Sequence, residues 1–230
     1  MLTIKPVRVA SKIEPKNSMG SIKIFKNVPE PMLREMERAA VEKRFAKGET
    51  LFLEDDRADA VWFVEEGHVK EVLHTAEGRN LTLSMTGTGG LFGTGSFGGG
   101  EYGCHGVAET EAKVVCFPIL IFQSFMERSP EMARAVVAQI SGLLRQAKAM
   151  QTFAQETVEK RILHVLLALV DEFGNSIPLT RREIGEMTGT TVETSIRVIS
   201  KLEHAGLISS VRGKIIVKNS ALLLQRMEGV

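Results

Sequence analysis

The chain has few of the residues that most often carry chemistry. It holds two cysteines (Cys104 and Cys116), one tryptophan, one tyrosine and five histidines in 230 residues. Two thiols cannot supply the four that an all-cysteine iron–sulfur cluster needs, so such a cluster is excluded within one chain. So few cysteines fit a reducing, cytoplasmic setting rather than a disulfide scaffold. Long apolar runs are missing as well. Val114–Phe122 and Ile162–Val170, the second counted through His164, stop at nine residues, whereas a spanning helix needs about 20. No membrane partner is expected. The N-terminal stretch MLTIKPVRVASKIEPKNS has no continuous apolar core and is not read as a secretory signal. C-x-x-C, H-E-x-x-H, a Walker glycine–lysine loop and a G-x-S-x-G elbow are all absent, so no enzyme is expected.

An excess of charge of one sign is also lacking: 29 Lys and Arg face 28 Asp and Glu, net +1. That balance conceals an asymmetry. Residues 1–19 carry net +3, residues 20–125 net −5 and residues 126–154 net +2, while 177–218 alone carry +3. An acidic middle joined to a locally basic C-terminal part points to two domains with different partners.

What is present divides the chain into segments. Residues 1–19 form an N-terminal extension. Residues 20–128 read as β: Thr50–Leu53, Val61–Val64, Val69–Leu73, Leu81–Met85 and Val114–Phe117 alternate with glycine-bearing turns, as in a barrel or β-roll. Pro31–Val41 before them has helical spacing. Ten of the 21 glycines fall between Gly87 and Gly106, which signals close backbone approach or a mobile loop. In residues 129–156, Ala133, Val136, Ile140, Leu143, Ala147, Met150 and Ala154 follow a 3-4 spacing, the seam of a dimerisation helix. Val137 and Leu144 flank that seam and are expected to pack on the roll.

Residues 157–230 open with a buried helix, Val158–Phe173, stopped at Gly174-Asn175. Thr180-Arg-Arg-Glu183 is a capping box that starts a helix near Arg181, and Gly189 ends it. Val192–His204 follows, with Val198, Ile199 and Leu202 inward. Two short helices joined by a glycine-containing turn make a helix-turn-helix. Leu207–Ser210 and Lys214–Val217 then pair as a wing.

Taken together, KGETLF (47–52), VWFVEEGHVK (61–70), GGLFGTGSF (89–97), the long helix and LTRREIGEMTGTTVETSIRVISKLEHAGLI (179–208) resemble the cAMP receptor protein/FNR family of bacterial transcription regulators. The resemblance implies an α+β fold: a cyclic-nucleotide-binding-type β-roll, a dimerisation helix and a C-terminal winged helix-turn-helix. It also implies a homodimer on double-stranded DNA, at an inverted repeat with a TGA/TCA-type core, and contact with RNA polymerase if the protein activates. Val192, Glu193, Ile196 and Arg197 match the base-facing positions. Glu can accept from cytosine N4 and Arg can bind guanine O6 and N7. With Thr190 as N-cap, Glu193 also reads as the N3 glutamate of a second capping box. Ile196 departs from the small or hydroxyl residue usual in the family. Thr180, Arg181, Lys201, Arg212 and Lys214 are candidates for phosphate contacts. A different reading makes the winged helix a protein-docking module; Arg197 and Lys201 favour DNA.

The effector is harder to read. Phe92, Gly93, Thr94, Tyr102, Gly103, Cys104 and His105 are the candidate pocket. Relatives that bind cyclic AMP have a glutamate where Thr94 stands and Arg-Ser where Tyr102-Gly103 stand. No Arg or Lys occurs between Gly98 and Thr110. A buried phosphodiester without a cation is disfavoured, and so is cyclic AMP. Haem is a second reading, as in gas-sensing relatives, with His68, His74 or His105 (or Cys104 or Met85) as axial ligand. A third is redox or metabolite sensing through a reactive Cys104 thiol.

Overall fold

The structure, a computed structural model, describes Met19 and residues 22–228 except 77 and 154; the side chains of 146, 149–152 and 228 are also outside it. The N-terminal extension, apart from Met19, and the seam positions Met150 and Ala154 therefore lie outside what is described.

Helix α1 (Glu30–Ala39) starts on Pro31 in its first turn, where a missing N–H costs nothing. It buries Met32 and Met36 on its apolar face. It ends before Val41, which opens strand β1 (Val41–Phe45) and does not continue the helix as its spacing had suggested. Strands β2 (Thr50–Phe52), β3 (Ala60–Glu66), β4 (Val69–His74), β5 (Asn80–Thr86), β6 (Leu91–Phe92), β7 (His105–Ala108) and β8 (Ala112–Pro118) complete the roll. They form two four-stranded antiparallel sheets, ordered β1-β8-β3-β6 and β2-β7-β4-β5. The glycine-rich stretch is thus not one open loop, since it contributes β6, a 3-10 turn at Thr94–Phe97 and the first half of β7.

The apolar run Val114–Phe122 is divided by Pro118, with strand before it and helix α2 (Ile119–Arg128) after it. Helix α3 (Pro130–Phe153) follows. Phe25, Phe63, Phe117, Phe122, Met132 and Val136 build the core between the roll and these helices. This reverses the expected orientation of α3. Val136 is 1% exposed against its own roll, while Val137 and Leu144 stand 59% and 55% exposed. The helix has two adjacent apolar stripes, and the one holding Met132 and Val136 meets the phenylalanine core.

The C-terminal unit contains α4 (Val158–Phe173), β9 (Ser176–Ile177), α5 (Arg181–Thr188), α6 (Val192–His204), β10 (Ile208–Val211), β11 (Lys214–Val217) and α7 (Ser220–Glu228). A second core, from Ile162 to Leu223, holds it together, and Met85 of β5 packs against that core from the roll. Among the described residues no helix is long and apolar enough to cross a membrane.

Candidate functional site

Helix α5 begins where the sequence places it. The Thr180 hydroxyl accepts from the Glu183 N–H, and the Glu183 carboxylate accepts from the Thr180 N–H. Gly189, at φ 62°, turns the chain through a backbone region unfavourable to a side chain, and this ends α5. Two close contacts set the angle between α5 and α6. The Ser195 hydroxyl donates to the Arg181 carbonyl. A Cβ on Gly185 would lie 3.1 Å from Ser195 Cβ. Arg161 of α4 donates to the Thr188 carbonyl (2.8 Å), which fixes the turn between them.

The N-cap of α6 is Thr191, whose hydroxyl accepts from the Thr194 N–H. The expected cap at Thr190 does not form, because its N–H is still bonded to the Gly185 carbonyl of α5. Glu193 is therefore at the second helical position, and the second capping box is absent. Val192, Glu193, Ile196 and Arg197 all lie on the exposed face of α6, while Ser195, Ile199 and Leu202 face inward.

The phosphate-contact candidates separate into two groups. Arg181 lies inside a network that ties the wing to the helices: it donates to Ser210 (3.3 Å), Ser200 (3.3 Å) and Glu203 (2.6 Å). Lys201 is bound to Glu159 at 2.7 Å, and Arg226 holds the same carboxylate. Thr180 is exposed but serves as the cap. Arg212 and Lys214, at the wing turn, are exposed and carry no ion pair among the described residues. Between α6, the start of α5 and the wing lies a cleft of about 450 Å³, lined in part by Arg182, Val192, Ile196, Val211, Arg212 and Lys214. Arg182 and Val211 escaped the sequence reading; Val211 is the exposed last residue of the first wing strand.

In the roll, Phe92 and Tyr102 are buried in a group of aromatic rings. Phe52 stacks on Tyr102 with ring centroids 4.0 Å apart, and Trp62 and Phe92 complete the group. Tyr102 Oη accepts from Trp62 Nε1 (2.9 Å) and donates to the Ala60 carbonyl (2.7 Å). A Cβ on Gly106 would lie 2.6 Å from the Phe52 ring, so that ring needs a glycine beneath it. Gly93 has φ 67° and precedes the 3-10 turn that begins at Thr94. Its N–H donates to Glu71 Oε1 (3.2 Å), and Ser84 donates to Glu71 Oε2 (2.7 Å). Cys104 Sγ lies 3.9 Å from the same carboxylate. Burial and the neighbouring Glu71 push the Cys104 thiol up to about 12, a direction that disfavours the thiolate. Gly103 is exposed at the loop surface.

The histidines raised as haem ligands lie apart from that interior. His68 contacts Glu172 of α4 at 3.0 Å, at the junction of roll and C-terminal unit. His74 pairs with Asn80 (2.6 Å), and His105 Nδ1 accepts from the Glu54 N–H (3.3 Å). The His74 and His105 rings are 4.3 Å apart, which leaves no room for a macrocycle between them. Met85 is packed toward the C-terminal core.

An ionic cluster that the sequence reading missed joins the two units. Buried Glu109 receives Lys70 at 2.8 Å and Lys47 at 3.1 Å; Lys47 also reaches Glu183 (3.4 Å) and Lys70 reaches Glu186 (3.7 Å), both on α5. Burial raises the Glu109 carboxyl and Lys70 offsets only part of this. Burial also pushes Glu183 up, but the Thr180 N–H and hydroxyl, Glu109 and Lys47 outweigh it and bring the carboxyl down to about 2.

Comparison with known proteins places these features. Residues 42–129 match the cyclic nucleotide-binding domain and residues 160–226 the Crp-like helix-turn-helix domain. The chain is 27% identical to the global nitrogen regulator of Synechococcus elongatus over 80% of this chain and 88% of that protein. It is 26% identical to the cyclic AMP receptor protein of Thermus thermophilus over 78% and 84%, respectively. Among solved structures, FixK2 of Bradyrhizobium japonicum superposes with a TM-score of 0.73 at 25% identity, covering 81% of this chain and 96% of its own. A CRP-family transcriptional regulator from Thermus thermophilus gives 0.72 at 26%, covering 82% and 97%. With both halves matched in order, and with an exposed second helix and wing on a β-roll, the chain belongs to the cAMP receptor protein/FNR family of DNA-binding transcription regulators.

Proposed function

We propose that the protein is a cytoplasmic, effector-responsive homodimer that binds an inverted repeat through two winged helix-turn-helix units. Its organisation is a sensor at 20–128, a dimerisation helix at 129–156 and a DNA-binding domain at 157–230. The observation that carries this reading is the exposed face of α6, where Glu193 and Arg197 stand clear of the fold beside a wing with exposed Arg212 and Lys214. Arg197 reads guanine and Glu193 cytosine, while Arg212 and Lys214 neutralise phosphates. Arg181 and Lys201 are engaged in ion pairs within the domain, with Glu203 and Glu159. Dimerisation uses the stripe Ala133, Val137, Ile140, Leu144 and Ala147, which keeps a 3-4 repeat and includes Val137 and Leu144, the large apolar side chains of α3 that are exposed among the described residues.

The residues present do not fit a cyclic nucleotide. Stacked aromatic rings fill the interior, the loop after Gly98 brings no cation, and Glu71 already occupies the Gly93 N–H. A phosphate placed there would meet a carboxylate, so the effector is of another class.

The test is a mobility-shift titration of the full chain on duplexes selected from a random pool, with one half-site or two. Two chains per duplex, and tighter binding with two half-sites one helical turn apart, are expected. Arg212→Ala and Lys214→Ala should each lower the salt slope by about 1 without changing base preference. One chain per duplex, with no gain from a second half-site, contradicts the dimer.

A further inference from the structure

Ile196 and Val211 are among the large apolar side chains left exposed, at 42% and 51%. They are not scattered. Ile196 lies one helical turn beyond Val192 on α6, Val211 ends the first wing strand, and all three line the cleft between recognition helix and wing. Guanidinium and ammonium groups border them: Arg182 at the start of α5, and Arg212 and Lys214 at the wing turn. A surface that pairs apolar side chains with cations suits the major groove of DNA. There the phosphates are anionic and one base alone, thymine, presents a methyl group.

On α6 the exposed face thus has two rows. Glu193 and Arg197 form the polar row. Val192 and Ile196 form the apolar row, turned toward the wing, and Val211 faces it across the cleft. An isoleucine side chain can answer neither the donors nor the acceptors on base edges. Set against cytosine N4 or the guanine O6 edge, it would strip water from a polar group and return no hydrogen bond, an energetic penalty. Set against a thymine methyl, it removes apolar surface from water on both sides.

We infer that Ile196 and Val211, together with Val192, form a methyl-reading strip that selects thymine at the half-site positions next to those read by Glu193 and Arg197. The inference rests on the base-reading assignment above and extends it to positions at which no hydrogen bond is made. Discrimination comes from the 5-methyl group, so it does not depend on Arg197.

The experiment uses full-length protein and its selected operator, resynthesised with deoxyuridine for thymidine one position at a time. This removes only the methyl group. The expected result is a loss of about fourfold in affinity for each methyl that contacts the strip, the value of one buried methyl group. In Ile196→Ser and Val211→Ser, both changed at exposed positions, that difference should vanish at the corresponding position while the guanine preference persists. A protein that selects a sequence yet binds the deoxyuridine sites as tightly at every position overturns the methyl-reading strip and leaves the Arg197 assignment standing. A protein that selects no sequence overturns both.

Discussion

Lys70 Nζ lies 2.8 Å from Glu109 Oε2 and 3.7 Å from Glu186 Oε2, so one lysine of β4 grips a carboxylate of the roll and a carboxylate of the first helix of the DNA-binding helix pair. The next residue, Glu71, reaches the Gly93 N–H inside the roll. Adjacent residues of one strand thus touch the interior of the roll and the helix-turn-helix unit, and the register shifts between Glu71 and Val72. Lys70→Met should destabilise the chain by about 3 kcal/mol, because Glu109, 2% exposed, loses its nearer cation and keeps only Lys47. Glu186→Gln should cost less than about 1 kcal/mol, since that contact is longer and Arg182, its other partner, is largely exposed. Urea unfolding of the two variants checks the order; equal losses would remove Glu109 as the centre of the clasp.

Cys104 gives a chemical prediction. A thiol held near 12 has about one thiolate in ten thousand at pH 8. Iodoacetamide should therefore modify Cys104 at least about a hundredfold more slowly in the folded chain than in urea. Glu71→Gln should speed the folded reaction by removing the neighbouring charge. Mass spectrometry of a time course reads both, and fast labelling of the native protein at pH 7 would restore Cys104 as a candidate redox sensor.

The two faces of α3 can be separated by mutation. Leu144→Asp places a charge on the exposed stripe and should convert dimer to monomer in sedimentation velocity without unfolding the chain. Val136→Ala removes two methyl groups from a site 1% exposed; it should lower stability by about 2 kcal/mol and leave the dimer intact. The opposite pattern would reinstate Val136 as the seam.

That pair also shows what a sequence can disclose. The helix-turn-helix was readable because its signals are local: a capping box at Thr180 and Glu183, a left-handed Gly189, and apolar positions that face one way. The orientation of α3 was not. Stripes 133/136/140/143 and 133/137/140/144 keep the same 3-4 spacing, and only the partner surface decides between them. Strands β6 and β7, of two and four residues, are too short to show alternation among so many glycines. Glu71 and Lys70 carry no local signal of their roles, since their partners are non-local, from Ser84 and Gly93 to Glu109 and Glu186.

Sequence-specific DNA binding through Arg197 is the central claim, and affinity on the selected operator tests it most directly. Wild-type chain and Arg197→Ala would be titrated against that duplex and against versions with each guanine of the half-site replaced. The wild type should lose about 1–3 kcal/mol at one guanine, and Arg197→Ala should no longer distinguish that position. An Arg197→Ala protein with unchanged preference at every base pair would contradict the claim.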